Sequence, residues 1–158
     1  MLKALTDLFD TALSTKADEV PETREHGIQL ATALLLVEVA RADYETDLTE
    51  DEEILALLRT SFSLDDEELA LLVEDARAES DYSASLQAFT RTLHEQLSVR
   101  EKHRVIEMLW RVAFADLHLD RHEDHLVRKV AGLLYVSHSD LIRIRNKVRQ
   151  SLPGMETG

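Results

Sequence analysis

The chain contains no cysteine, and only two prolines and four glycines occur among its 158 residues. The absence of cysteine excludes disulfide bonds, cysteine-ligated zinc and thiol catalysis, and it fits a protein of the reducing cytoplasm. The few prolines and glycines leave little sequence for tight turns, and no segment shows a sustained alternation of apolar and polar residues. These absences together predict an all-α fold.

Long apolar runs are absent as well. The longest, Ile28 to Val37, is followed at once by Glu38, so it is too short to cross a bilayer. The N-terminal apolar stretch contains Asp7 and Asp10 and is followed by no cleavage site, so it does not resemble a secretory signal. We therefore expect a cytoplasmic protein without a transmembrane segment.

Positive charge is scarce in the first part of the chain. Residues 1–96 contain 7 Lys/Arg and 23 Asp/Glu, whereas residues 97–158 contain 11 Lys/Arg and 8 Asp/Glu. The net charge of the whole chain is −13. A surface of this charge argues against general binding to nucleic acids and suits cations or a basic protein partner. The sequence also lacks a nucleophile elbow, a phosphate-binding glycine loop and an H-E-x-x-H motif, so we expect no enzymatic activity.

Apolar residues make up 44% of the chain, which is typical of a globular domain. We divide it into an amphipathic helix (residues 2–14) with a polar linker in 1–24, a helical domain in 25–150, and a flexible tail in 151–158. The first helix either docks on the domain core or contacts a partner or a membrane surface. Apolar residues at helical spacing predict about eight helices, the others spanning residues 26–43, 48–60, 66–79, 83–97, 99–116, 121–135 and 138–151. Trp110 should be buried in a central helix.

One acidic pattern, A-D-x-x-x-D-x-x-E, occurs twice, 73 residues apart, each time at a predicted helix-loop-helix junction. Its carboxylates are Asp43, Asp47 and Glu50 in the first copy, and Asp116, Asp120 and Glu123 in the second. In each copy, the second and third carboxylates have the spacing of an N-cap residue and its partner three residues later. Helix capping alone would therefore explain two of the three carboxylates in each copy.

The first carboxylate of each copy, Asp43 or Asp116, requires another explanation. Each should follow a long apolar helix, where the negative end of the helix dipole disfavours an anion by a few tenths to about 1 kcal/mol. A divalent cation would compensate this charge, and calcium and magnesium prefer carboxylate ligands. The loop is not an EF-hand, because Leu48 and Ile54 stand where that motif requires glycine and glutamate. Capping without a metal remains the alternative.

The segment from Trp110 to Asp140, W-R-V-A-F-A-D-L-H-L-D-R-H-E-D-H-L-V-R-K-V-A-G-L-L-Y-V-S-H-S-D, resembles the TerB-like domain of bacterial tellurite-resistance proteins. The closer similarity is to the small stand-alone TerB-like proteins of Gram-negative bacteria, and it extends over roughly residues 25–150. The family commonly has glycine after the A-D pair, where this chain has Tyr44 and Leu117.

The resemblance implies an all-helical fold with two pseudo-twofold related halves, and a non-enzymatic role in metal or chemical stress at the membrane. It also implies that a divalent cation binds at the six acidic positions, Asp43, Asp47, Glu50, Asp116, Asp120 and Glu123. The leading hypothesis is a cation-binding module with a protein partner. A metal-independent interaction scaffold is the alternative, and a metal-dependent hydrolase is the least favoured.

Overall fold

The computed structural model describes residues 21–44, 52–77, 82–115 and 120–152. Within these ranges it contains no strand and seven helices: α1 (Pro21–Tyr44), α2 (Glu52–Ser61), α3 (Asp66–Arg77), α4 (Tyr82–Gln96), α5 (Val99–Ala115), α6 (Asp120–Leu133) and α7 (His138–Ser151). The predicted all-α fold is thus confirmed. The helix predicted for residues 2–14 and most of the predicted tail lie outside the described residues.

Helix α1 begins earlier than the sequence analysis placed it. Residues 21–24, which were assigned to the polar linker, form the first turn of this helix. Proline is well suited to that position, because its fixed φ is helical and the N–H that it lacks would have no intrahelical acceptor there. Pro21 therefore starts a helix within the stretch that the sequence analysis assigned to the linker.

The centre of the bundle is α1. Between Ile28 and Val39 almost every apolar side chain is buried, and Trp110 of α5 packs in the same core with 2% of its surface exposed. Helix α1 contacts α3, α4, α5 and α6. This is the position expected of a helix that is apolar nearly all round. None of the described helices combines the length and the apolar character that crossing a membrane would need.

Helices α1 and α5 contact each other near their N-terminal ends. Their first turns are joined by two ion pairs, in which Nη2 of Arg24 lies 2.8 Å from Glu101 and Nε of Arg104 lies 2.9 Å from Glu25. The two helices also pack against each other. These ion pairs hold the start of α5 against the start of the central helix.

Helices α2 and α6 end in the same type of turn. The residue after each helix cap has a left-handed backbone, with φ of 55° at Ser63 and 60° at Tyr135. In both turns the N–H of the residue after the left-handed one donates to a carbonyl of the last helical turn. The N–H of Leu64 donates to the carbonyl of Arg59 at 3.0 Å, and the N–H of Val136 donates to that of Ala131 at 2.8 Å. This hydrogen bond is characteristic of a Schellman motif.

The helix that follows each of these turns is capped by a side chain. Asp65 accepts a hydrogen bond from the N–H of Glu68 at 2.8 Å, and Ser137 accepts one from the N–H of Asp140 at 3.2 Å. Aspartate and serine are both favoured N-cap residues. The helix pair α1–α2 thus corresponds to the pair α5–α6 from the acidic junctions to the turns at Ser63 and Tyr135. The spacing between these two turns is one residue shorter than the 73 residues between the acidic patterns.

A capping box at the start of α5 is connected to α1. The N–H of Ser98 donates to Oε1 of Glu101 at 2.9 Å, and the N–H of Glu101 donates to Oγ of Ser98 at 3.2 Å. Arg24 donates to the same carboxylate and also to the carbonyl of Gln96 at 3.0 Å. These hydrogen bonds, that from Arg24 foremost, lower the pKa of Glu101 below its usual range.

Replacing Glu101 with glutamine should therefore have an effect that depends on pH. A carboxyl whose pKa is lower in the folded state stabilises the protein above its unfolded pKa, and this contribution is lost as the pH falls through the folded value. We expect Glu101→Gln to lower the free energy of unfolding by about 1–2 kcal/mol at neutral pH, and by much less near pH 3. Urea unfolding at the two pH values measures this, and an equal loss at both would contradict it.

Candidate functional site

Both copies of the acidic pattern occur at helix–helix junctions. Asp43 lies in the last turn of α1, and α5 ends at Ala115, the residue before Asp116. Asp120 and Glu123 lie in the first turn of α6. Described helices therefore flank both copies, α1 and α2 the first and α5 and α6 the second.

The individual candidate ligands are only partly placed. Asp47, Glu50 and Asp116 lie outside the described residues, and so do the side chains of Asp43, Asp120 and Glu123. Among the side chains that the structure describes, no group of three His, Asp or Glu residues could hold a metal. The set of six metal ligands stays a prediction.

The first junction carries more acidic residues than the A-D-x-x-x-D-x-x-E pattern alone. Glu52 and Glu53 add exposed carboxylates in the first turn of α2, directly after the first acidic segment. Clustered negative charge attracts cations, and an all-oxygen set of donors suits calcium or magnesium better than softer metals.

A carboxylate that the sequence analysis did not single out lies deeper in the same helix. Glu38 is 1% exposed, and it is the only acidic residue of the described chain that is buried in the core. It precedes Asp43 by five residues, which is about 7.5 Å along the helix axis. Burying a carboxylate is costly unless it is paired, hydrogen-bonded or protonated, so its position calls for a specific environment. The available signal was a lone glutamate in the segment Ala31–Ala40, which is otherwise almost entirely apolar.

Comparison with known proteins gives one match. The family model described as tellurite resistance protein TerB matches residues 29–146. The matched segment contains both acidic junctions and extends from α1 into α7. No curated protein and no solved structure matches the chain.

Proposed function

Because the chain belongs to the TerB family, we propose that it is a non-enzymatic module which binds a divalent cation, calcium or magnesium, at each of its two acidic junctions. In the first junction the ligands would be Asp43, Asp47 and Glu50. In the second they would be Asp116, Asp120 and Glu123. Backbone carbonyls and water would supply the other ligands that these hard cations require.

The observation that carries this proposal is the position of the first aspartate in each copy. Asp43 lies in the last turn of α1, and Asp116 directly follows the last residue of α5. The carbonyl groups at a helix C-terminus disfavour an anion there, and a bound cation would reverse that effect for both charges at once. Because an aspartate occupies the C-terminal end of a helix at both junctions, the same cation-binding role is proposed for both.

Cation binding would give this module a means of regulation. Two divalent cations would neutralise much of the negative charge at the two junctions, and so change which partner surfaces these junctions attract. We infer that the protein acts in the cytoplasm in the response to metal or chemical stress. Its partner would be a protein that recognises the cation-bound state.

A metal-independent scaffold is the second candidate function. It is favoured by the location of Asp120 and Glu123 in the first turn of α6, because carboxylates there stabilise a helix N-terminus without any metal. In that case the acidic junctions would only cap helices, and the same protein partner would bind with or without calcium.

Calorimetric titration with calcium, magnesium and zinc tests the proposal. We expect saturable calcium or magnesium binding with one ion for each junction, and weaker binding of zinc, which prefers nitrogen and sulfur ligands. Asp43→Asn should remove binding at the first junction and leave the second intact. The absence of saturable binding for both calcium and magnesium would favour the scaffold.

A further inference from the structure

A pocket of about 310 Å³ opens between α4 and the C-terminal end of α6. Its lining includes Gln87, Thr90, Arg91 and His94 from α4, and Gly132 and Tyr135 at the end of α6. It lies away from the first acidic residue of α6, because the twelve residues from Asp120 to Gly132 span about 18 Å of helix. Its volume falls at the lower end of the range for small-molecule sites.

The pocket is basic in a protein whose net charge is −13. None of the described residues that line it is acidic, and Arg91 forms no ion pair with any carboxylate of the described chain. Behind His94 lies Lys102, which is only 8% exposed and whose Nζ lies 2.5 Å from Nδ1 of the imidazole. Because the ammonium group donates to Nδ1, the proton of a neutral His94 resides on Nε2, which leaves this nitrogen as a second donor beside Arg91.

Tyr135 forms the apolar edge of the pocket. Its ring lies against His94 with centroids 4.5 Å apart, and 77% of the residue is exposed. Its backbone has a φ of 60°, at the position of the turn where glycine is favoured. A bulky aromatic residue in this conformation is strained, and such strain is often retained at binding sites. The exposed ring therefore needs an explanation other than the stability of the turn.

We propose that this pocket binds a small organic anion. Arg91 and His94 hold its carboxylate or phosphate group through charge-assisted hydrogen bonds, and Tyr135 stacks on its planar apolar body. Lys102 supports the site from behind by orienting His94 and by adding a positive charge that is largely shielded from solvent. This site is independent of cation binding at the acidic junctions.

Titration of the ¹⁵N-labelled chain, followed by NMR, tests the proposal with four probes: phenyl phosphate, phenylacetate, inorganic phosphate and the uncharged benzyl alcohol. We expect saturable shifts with phenyl phosphate or phenylacetate, confined to Gln87–His94 and residues 132–136. The stronger of these two probes identifies the preferred anionic group. Inorganic phosphate should bind more weakly, and benzyl alcohol should not bind.

Four variants, the last of them a control, separate this site from general charge effects. Arg91→Ala should weaken binding about tenfold or more, as expected when a charged hydrogen bond is lost. Gly132→Leu should block the pocket, since a Cβ at Gly132 meets no atom within 4 Å and the added side chain has room to fill the space. Tyr135→Gly should weaken binding while the melting temperature holds or rises. Lys147→Ala, which removes an exposed charge on α7, should leave binding unchanged.

The proposal is overturned if neither aromatic anion shifts these resonances at about 10 mM, a concentration that would saturate even a site with a Kd of about 1 mM. It is also overturned if Lys147→Ala weakens binding as much as Arg91→Ala does. Equal shifts with inorganic phosphate over the whole surface would show nonspecific screening only, and would contradict a built site.

Discussion

Replacing Trp110 with alanine should lower the free energy of unfolding by about 3–5 kcal/mol, as expected when a large aromatic residue is removed from a core. The side chain is 2% exposed, and its Nε1 donates to the carbonyl of Leu141 in α7 at 3.2 Å. Its ring stacks on Phe114 with centroids 5.9 Å apart, and the guanidinium of Arg145 lies 5.6 Å from its centre. The indole therefore joins α5 to α7, and its loss leaves both a cavity and a weakened helix contact.

Urea unfolding followed by circular dichroism measures this loss without depending on tryptophan fluorescence. Trp110→Phe is the matched control, because it keeps an aromatic ring and removes mainly the hydrogen bond to Leu141, at a cost of about 1–2 kcal/mol. A loss of less than about 1 kcal/mol in Trp110→Ala would contradict the central position that we assign to this residue.

Calcium should stabilise the wild-type chain by about 2.7 kcal/mol for each occupied junction when its concentration is about 100 times the Kd. For a domain of this size, that corresponds to a rise in melting temperature of roughly 5–11 °C per junction. The reason is that, under the proposed function, the cation binds carboxylates that folding brings together and that the unfolded chain separates. A chelator should abolish the rise.

The control for this effect is sodium chloride at the same ionic strength. A chain of net charge −13 gains some stability from screening alone, because its carboxylates repel one another. If sodium chloride reproduces the whole rise in melting temperature, the stabilisation comes from screening, and the prediction of specific binding is wrong.

Much of the fold could be predicted because its signals are local. Ser98 and Glu101 have the spacing of a capping box and form one, and Asp65 and Ser137, which are favoured N-cap residue types, cap the helices that follow them. The central position of α1 follows from a helix that is apolar on every side. The start of this helix at Pro21 was missed, because its first residues were assigned to the polar linker in 1–24.

The basic pocket could not be predicted in this way. His94, Lys102 and Tyr135 are separated in the sequence, and only the packing of α4, α5 and the end of α6 brings them together. Helical periodicity assigns a residue to a face, but it does not determine which two faces meet. The backbone strain at Tyr135 is equally invisible in sequence, because only the observed turn shows that a left-handed residue is needed there.

The acidic junctions present the opposite situation, since the sequence pattern is explicit and the chemistry is still to be measured. Asp47→Ala and Asp120→Ala cannot distinguish a metal site from helix caps, because losing a cap costs about 1 kcal/mol under either interpretation. Asp43→Asn and Asp116→Asn do distinguish them. If the junctions only cap helices, these changes relieve an unfavourable contact with the helix dipole and are neutral or slightly stabilising.

The most direct test compares melting curves of the wild type and of Asp43→Asn/Asp116→Asn, each with millimolar calcium and with chelator. Glu95→Gln is the matched control, since Glu95 is an exposed carboxylate in the last turn of α4, just as Asp43 lies in the last turn of α1. The account predicts that calcium stabilises the wild type and Glu95→Gln equally, that the double variant loses most of this gain, and that its stability in chelator holds or rises. Equal stabilisation of all three proteins by calcium, or no shift of the wild type with calcium or magnesium, would contradict cation binding at these junctions.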